Sequence, residues 1–339
     1  MTLKNQKNHY NVKFLKGYGH SISVKNSKII LKDNHDPFSE PTQEEWFVKN
    51  MPYEKIVLSG KGYVSTEALA LLSENYRNVI LLDNHGKPVT FMNGMMDSLT
   101  ATKYRMAQYD TFRDESKCEY LRQQIIQSKK ESQLKLLKLI GSDVTILSEK
   151  ENVAAITYWS EFAKFIPERY EFNSRNQSQI RNSKEDATDI INALLNYGYS
   201  VLAGEISKFV CGFGLDLYFG FMHHSHTGFQ PFVYDIIEIF RWLVDYSVFK
   251  IANNKEKRNR IKLKEYSYTK DGTIVIEYAL IKRFLEILER QFSQERKYEF
   301  RHGKKTESGL KSVQEITISK ILVQNLAEFC LGKSSSFEI

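Results

Sequence analysis

The spacing of apolar residues changes near residue 95, and the two spacings predict different secondary structures. Before that point the apolar residues form short β-branched runs separated by Lys, Asn and Gly, which is typical of strands. Strands are predicted in this way at 12–15, 22–24, 29–31, 56–58, 79–82 and 88–91. One short helix is predicted at Ser65–Asn75, capped by Ser65 or Thr66, and residues 83–87 predict a turn.

From about residue 97 onwards, apolar residues recur every three to four positions, which indicates helices. No Pro or Gly interrupts residues 97–140, so this stretch predicts long helices. Further helices are predicted at 151–166, 186–212, 233–252, 274–297 and 310–331, with a polar loop at 253–272. The chain is therefore expected to have an α+β fold, with a small β-rich domain at 1–95 and a larger, nearly all-α domain at 96–339.

The composition of the 339 residues excludes several classes of protein. With 42% hydrophobic and 26% charged residues, the chain is not of the disordered class. No segment has the unbroken apolar run of a membrane span, and the polar residues 1–11 lack the apolar core of a secretory signal. Cys118, Cys211 and Cys330 form no CxxC pair, so neither a disulfide framework nor a thiolate zinc site is indicated. We therefore expect a soluble, cytoplasmic protein.

Basic residues are concentrated in two segments, although the net charge is only +7. Residues 1–32 contain seven Lys and no acidic residue, and residues 250–311 contain 17 Lys or Arg against 9 Asp or Glu. Such clusters are expected of a surface that binds a phosphate backbone, and the alternative is an ordinary solvated surface. The densest clusters are Lys255, Lys257, Arg258, Arg260, Lys262 and Lys264, and then Arg301, His302, Lys304 and Lys305.

Aromatic residues interleave with these charges. They could stack on unpaired bases, or they could pack between helices. The residues concerned are Tyr266, Tyr268, Tyr298 and Phe300.

Candidate ligands for a divalent metal ion lie around the start of a predicted helix. Three of the eight histidines occur within Gly220–Gly228, and two carboxylates three residues apart follow on one face of the helix. Imidazole and carboxylate groups are common ligands of divalent metals. The alternative is a surface turn, followed by acids that complement the helix dipole. The residues concerned are His223, His224, His226, Asp235 and Glu238.

Two other segments combine polar residues with small residues that allow close helix packing. Glu151 opens a predicted helix that contains Ala154 and Ala155, and it could be either a ligand or a dipole partner. Asn192–Ile206 predicts a helix buried among other helices, because it carries Gly and Ala at several positions.

Taken together and in this order, these segments resemble the Cas1 family, the CRISPR-associated endonuclease/integrase of the spacer-acquisition module. Glu151–Trp159 resembles the family's E-x-x-A-A-x-x-Y-W helix, and Asp235–Arg241 resembles D-x-x-E-x-F-R. Asn192–Leu202 resembles N-A-L-L-N-Y-G-Y-S-V-L. Further similar segments are Lys61–Val89, Gly214–Asp216 and Gly220–His223. The resemblance covers essentially the whole chain, and no single motif would carry it alone.

The resemblance implies a β-rich N-terminal domain that forms homodimers and a helical catalytic domain. It implies Mg²⁺ or Mn²⁺ ligands at Glu151, His223 and Glu238, with Asp235 as a further acidic residue beside the metal. His224 and His226 are additional imidazoles that could replace His223 as the ligand or contact DNA.

The implied activity is insertion of spacer DNA into a CRISPR array, by attack of a 3′-OH on a target strand. The implied partners are double-stranded and branched DNA and the small protein Cas2, which joins two homodimers in a heterohexamer. Three alternatives stay open: a transposon-type integrase, a non-catalytic basic DNA-binding scaffold, and a helical metalloenzyme for small molecules. The convergence of Glu151, His223 and Glu238 in space would separate an enzyme from a scaffold.

Overall fold

The computed structural model describes residues 12–33, 41–53, 55–75, 77–82, 88–92, 99–175, 187–223, 230–270, 272–299 and 310–337. In these residues an N-terminal β-sheet is followed by a mostly helical region, which confirms the predicted α+β fold. The predicted turn at 83–87 lies outside the described residues. Among the helices that are described, none is long and apolar enough to cross a membrane.

The N-terminal sheet contains six strands. They are β1 (Val12–Lys25), β2 (Lys28–Asp33), β3 (Thr42–Trp46), β4 (Lys55–Val64), β5 (Asn78–Leu82) and β6 (Pro88–Met92). Their order is β3-β2-β1-β4-β5-β6, so β3 and β6 form the two edges. β4 runs parallel to β1 and to β5, and the other neighbours are antiparallel.

The helix α1 (Thr66–Glu74) follows β4 and covers the core of the sheet. The Ser65 hydroxyl accepts the Ala68 N–H at 3.2 Å, so the predicted cap at Ser65 is confirmed. Leu72 of the helix is fully buried against the strands. Residues of the strands that form this core include Leu15, Ile22, Ile29, Leu31, Ile56 and Leu58.

Two features of the sheet differ from the sequence prediction. The predicted strands at 12–15 and 22–24 form the single strand β1, which passes through Gly17 and Gly19 at φ angles of 83° and 78°. Glycine adopts this left-handed conformation at little cost, so the strand continues through positions where the sequence predicts a break between two strands. β3 is not predicted, because its sequence TQEEW is mostly polar.

Eight helices are described beyond the sheet. They are α2 (Leu99–Arg113), α3 (Glu115–Ile140), α4 (Glu151–Lys164), α5 (Ile190–Gly212), α6 (Pro231–Ile237), α7 (Arg241–Ala252), α8 (Tyr278–Phe292) and α9 (Glu315–Cys330). The long stretch predicted at 97–140 is divided at Asp114, whose carboxylate accepts the N–H groups of Ser116 and Lys117 and caps α3. The helix predicted at 233–252 is likewise divided into α6 and α7.

Two predicted helices, 274–297 and 310–331, are wrong at their ends. Strands β7 (Tyr266–Tyr268) and β8 (Ile274–Ile276) pair before α8, and β9 (Glu295–Glu299) and β10 (Leu310–Gln314) pair before α9. β7 and β8 have three residues each and β9 and β10 have five, and strands this short carry too few positions for local spacing to distinguish them from the ends of the helices.

The polar stretch at 253–272 is more regular than a loop. It contains helical turns at Lys257–Asn259 and Leu263–Glu265, followed by β7. The second turn is fixed by Glu265, whose carboxylate pairs with Arg283 of α8 at 2.7 and 2.9 Å. This ion pair joins the basic segment to the helical core.

Helices α5, α7 and α8 approach each other closely at Gly198. A Cβ atom at this position would lie 2.4 Å from Cγ1 of Val244 on α7 and 3.0 Å from Cζ of Phe284 on α8. Glycine is therefore required by packing, as the small residues of this segment predict.

The chain divides into two compact units. One contains residues 1–108 and 207–217, and the other contains residues 109–206 and 218–339. The candidate ligands Glu151, His223, Asp235 and Glu238 all belong to the second unit.

Candidate metal centre

Glu151 and Glu238 meet at one positively charged group, the ammonium of Lys129. Glu151 is the first residue of α4, and Glu238 directly follows α6. Lys129 reaches them from α3, which packs against both α4 and α7. Its Nζ lies 2.8 Å from Oε1 of Glu151 and 2.7 Å from Oε2 of Glu238. The fold therefore brings together two of the three predicted ligands around a cation.

Glu238 is the buried member of the pair. Its side chain is 5% exposed, against 43% for Glu151, and its other oxygen pairs with Arg241 one turn later. Burial alone would raise the pKa of Glu238, but Arg241 and Lys129 lower it to about 2. Glu238 is therefore a carboxylate at any physiological pH.

The oxygen of Glu238 that faces Lys129 is buried beside that ammonium. Oε2 is buried, and in the described part of the chain it accepts no hydrogen bond of good geometry. The contact at 2.7 Å is thus ionic rather than directional. An anionic carboxylate oxygen in this position is the type of ligand that Mg²⁺ and Mn²⁺ prefer.

His223 is held by Asp235. Nδ1 of the ring lies 2.7 Å from Oδ1 of Asp235, and because a carboxylate can only accept, Nδ1 carries the proton. This hydrogen bond raises the pKa of His223 and outweighs the opposite effect of burial. Coordination of a metal by this ring would use Nε2, the arrangement in which histidine ligands usually occur.

Asp235 also fixes the backbone that carries His223. Its carboxylate is fully buried, and it accepts the N–H groups of Phe221 at 2.7 Å, Met222 at 3.2 Å and His223 at 3.0 Å. A Cβ atom at Gly220 would lie 2.6 Å from Oδ2 of Asp235, so the preceding glycine is needed for this approach. Asp235 therefore orients the segment 221–223.

The side chains of this site are of the chemical type that binds a hard divalent ion, but they are not grouped tightly around one point. Within the residues that the structure describes, no three His, Cys, Asp or Glu side chains are grouped closely enough to hold a metal. Glu151 and Glu238 converge, and His223 lies near enough for Glu238 to raise its pKa. Two carboxylates and an imidazole are suitable ligands for Mg²⁺ or Mn²⁺. His224 and His226 lie outside the described residues.

A network of buried polar side chains contacts Arg241 and so supports the position of Glu238. Asp245 of α7 accepts the hydroxyl groups of Tyr158 at 2.6 Å and Tyr199 at 2.5 Å. The guanidinium of Arg241 lies 4.2 Å from the ring centroid of Tyr199, a cation–π contact. Arg241 in turn pairs with Glu238, so the network fixes the position of that carboxylate.

Sequence reasoning misses Lys129, Asp245 and the role of Arg241. Arg241 ends the D-x-x-E-x-F-R segment, and that position is the only signal for it. Lys129 lies in an ordinary run of Gln, Ser and Lys on a long helix, so nothing in the sequence distinguishes it.

The predicted DNA-binding residues of 255–264 lie mostly on the surface. Lys255, Arg258, Lys262 and Lys264 are exposed, whereas Arg260 is half-buried and donates to the carbonyl of Asn254. Among the aromatic residues, Tyr268 is exposed and Tyr266 and Tyr298 are half-buried. The side chain of Lys257, and residues Phe300, Arg301, His302, Lys304 and Lys305, lie outside the described parts.

Solved structures of DNA-integrating and CRISPR-associated proteins share this fold. A casposase bound to an integration product has a TM-score of 0.79 and 22% identity, over 97% of this chain and 92% of that one. A Cas1 protein from Thermotoga maritima has a TM-score of 0.72 and 15% identity, over 97% and 99%. At these identities the likeness concerns the fold alone.

Sequence comparison identifies the family. The family model described as CRISPR associated protein Cas1 matches residues 14–150 and 141–290, so the chain belongs to the Cas1 family. CRISPR-associated endonuclease Cas1 1 of Archaeoglobus fulgidus is 27% identical, over 72% of this chain and 81% of the relative. CRISPR-associated protein Cas1 3 of Methanobrevibacter ruminantium is 28% identical, over 72% and 79%.

Proposed function

We propose that this protein is a divalent-metal-dependent DNA endonuclease and integrase that inserts new spacer DNA into a CRISPR array. Membership in the Cas1 family and the endonuclease activity for which the Archaeoglobus relative is named support the enzyme class. The observation that carries the proposal is the convergence of Glu151 and Glu238 on one cation in the helical unit.

Glu151, His223 and Glu238 would hold Mg²⁺ or Mn²⁺. A bound divalent ion would act as a Lewis acid that stabilises charge on the phosphate oxygens. Arg241 keeps Glu238 ionised and in place. Asp235 keeps Nδ1 of His223 protonated, so the ring is presented in one tautomer and one orientation.

The reaction proposed for this site is a transesterification. The 3′-oxygen of the incoming DNA forms a bond to a phosphorus of the target strand, and the bond from that phosphorus to the target's own 3′-oxygen breaks. The attacking hydroxyl loses a proton and the leaving oxygen gains one, so no nucleotide is hydrolysed. Water in the place of the 3′-OH would give endonuclease cleavage.

The basic residues of the C-terminal half would bind the DNA backbone. Lys255, Arg258, Lys262 and Lys264 are exposed on a segment that Glu265 and Arg283 join to the core. Lys257, Arg260, Arg301, Lys304 and Lys305 are the other residues that the sequence predicts to bind DNA. Phosphate contacts of this type require exposed cations on a fixed support.

The proposed protein partners are a second copy of the chain and the small protein Cas2. The sheet domain, residues 1–95, would form the homodimer, and two homodimers would join a Cas2 dimer in a heterohexamer. One chain of a solved structure titled Cas6-RT-Cas1–Cas2 complex contains the same fold, over 97% of this chain and 36% of that one, with a TM-score of 0.69 and 19% identity.

The test is a strand-transfer assay. A labelled duplex with free 3′-OH ends is mixed with a supercoiled plasmid carrying a CRISPR repeat, with Cas2 present, in Mn²⁺ or in EDTA. We expect joining by the wild type in Mn²⁺ only. Glu238→Gln should lower the rate by more than about 100-fold, since even residues that only orient ligands are worth 10–100-fold.

Glu149→Gln is the matched control, because Glu149 is an exposed carboxylate two residues before Glu151. Joining by Glu238→Gln at the wild-type rate would contradict the proposed ligand set. Salt-sensitive DNA binding without any joining would favour the scaffold. Joining that does not depend on the CRISPR repeat in the plasmid, but does depend on the sequence of the DNA ends, would favour a transposon-type integrase.

A further inference from the structure

We propose that Lys129 is an internal counter-ion, which holds Glu151 and Glu238 in place before metal binding and is displaced when a divalent cation enters. The inference rests on the metal site proposed above. Lys129 is not one of the predicted ligands; its ammonium would compete with the metal for the two carboxylates.

The position of the ammonium is that of a bridging cation. Nζ lies within 2.8 Å of a carboxylate oxygen on each side, and the Lys129 side chain is 16% exposed. The next residue, Lys130, is different: its ammonium lies 3.5 Å from the carbonyl oxygen of Glu149 and faces solvent. Lys129 therefore lies in the candidate metal centre, and the adjacent Lys130, which does not contact it, is a matched control.

The Lys129 ammonium and a divalent ion bound by both carboxylates would compete for one position. Lys129 and Arg241 together neutralise Glu151 and Glu238, so an added divalent ion would leave two uncompensated positive charges. Nζ already lies between the two carboxylate oxygens, and two cations at such short range repel each other strongly. Metal binding and the bridging position of Lys129 are therefore mutually exclusive.

Lys129, rather than Arg241, is the cation that can move. The guanidinium of Arg241 is packed on Tyr199, whose hydroxyl is bonded to the buried Asp245. Among the described residues, Lys129 is held by the two carboxylates that the metal would take, on a flexible four-carbon stem. After displacement its ammonium stays within one side-chain length of the site, where the DNA phosphates would lie.

The first test measures Mn²⁺ binding by calorimetry on the full-length protein. Lys129→Met removes the competing charge and keeps an unbranched side chain that is one atom shorter. We expect it to bind Mn²⁺ about tenfold more tightly than the wild type, because the ion pairs of Lys129 with Glu151 and Glu238 no longer have to be broken. Its thermal stability should fall in EDTA and recover with Mn²⁺ by more than that of the wild type.

Lys130→Met should match the wild type in both measurements. Unchanged or weaker Mn²⁺ binding by folded Lys129→Met would overturn the inference. A wild type that binds no Mn²⁺, or binds it as well after Glu238→Gln, would overturn the proposed metal site and this inference with it. The two failures are therefore distinguishable.

A second test uses the wild type alone, so it does not depend on how a variant folds. Lysines are labelled by reductive methylation, with and without Mn²⁺, and each site is quantified by mass spectrometry. Labelling of Lys129 should rise severalfold with Mn²⁺ and fall back with EDTA, while Lys130 serves as the internal reference. Constant labelling of Lys129 under conditions where calorimetry shows bound Mn²⁺ would refute displacement.

Discussion

Two buried carboxylates three residues apart, Asp235 and Glu238, have opposite surroundings. Asp235 accepts four hydrogen bonds from one short segment, which uses the acceptor capacity of a carboxylate. Glu238 faces two cations instead. Because of this difference we assign orientation of His223 to Asp235 and binding of the metal to Glu238.

Replacement of Asp235 by Asn should weaken metal binding without removing a ligand. The amide presents an NH₂ group toward N–H donors, so the segment 221–223 loses part of its anchor. We expect Mn²⁺ affinity to fall by about 10–100-fold, and the free energy of unfolding to fall by about 1–3 kcal/mol. Calorimetry and denaturant unfolding measure the two effects.

Asp143→Asn is the control, since Asp143 is exposed. Wild-type Mn²⁺ affinity in a folded Asp235→Asn variant would show that His223 needs no orienting carboxylate.

At the level of elements, α7 connects the packing of the helices to the site. Its first residue, Arg241, pairs with Glu238, and Asp245 one turn later holds two tyrosine hydroxyls from α4 and α5. The same helix packs on α5 at Gly198. A displacement of α7 would therefore change the position of Glu238.

Two glycines of α5 offer a matched pair of substitutions. Gly198→Ala places a methyl group 2.4 Å from Val244, and overpacking of this kind costs about 1–3 kcal/mol. The methyl group of Gly212→Ala would have no atom within 4 Å. Only the higher helix propensity of Ala then changes the free energy of unfolding, by up to about 0.5–1 kcal/mol. Denaturant unfolding should show a less stable Gly198→Ala and a Gly212→Ala that is equal or more stable.

Mn²⁺ affinity should fall in Gly198→Ala and stay unchanged in Gly212→Ala. Equal stability and equal affinity for both variants would mean that α5 and α7 are not coupled in this way.

The elements that the sequence predicts are those with a local cause. The cap at Ser65 and the amphipathic repeats of α3 and α4 depend on neighbours within a few residues. The strands β7 to β10 have only three to five residues each and directly precede or follow helices, so the local spacing does not separate them from the helices. The division between α6 and α7 is similar, since neither Pro nor Gly marks it.

In the candidate site, too, some residues can be identified from the sequence and others only from the structure. Glu151 and Glu238 are identified from the sequence because they lie in recognisable segments. Lys129 acts through its position in space alone, from a helix whose sequence is ordinary. The hydrogen bonds of Asp235 to the backbone of 221–223 likewise depend on a turn that the sequence does not determine.

At the scale of the whole molecule, charge is unevenly distributed along the chain. The basic segment 255–264 follows α7, and the ion pair of Glu265 with Arg283 anchors it. Exposed lysines on an anchored segment can contact a phosphate backbone with little loss of chain entropy.

The salt dependence of DNA binding should report these contacts. For Lys262→Gln with Lys264→Gln, the slope of log affinity against log salt should decrease by about 0.9 for each phosphate that the variant no longer neutralises. Fluorescence anisotropy with a duplex, between about 50 and 200 mM salt, measures the slope. The control is Lys320→Gln with Lys333→Gln, two exposed lysines outside the basic segments, and an equal change in both double variants would contradict a specific role for 255–264.

The two edges of the N-terminal sheet resist further strand addition. At one edge, β3 carries Glu44 and Glu45, and Glu44 is occupied by Lys13 at 2.5 Å, Trp46 at 3.0 Å and Tyr53 at 2.9 Å. At the other edge, β6 begins with Pro88, which has no N–H to donate. Charged and proline-containing edges are the usual protection against sheet-to-sheet aggregation. A homodimer formed by this domain would accordingly use side chains on the faces or loops of the sheet, rather than one sheet continued across two chains.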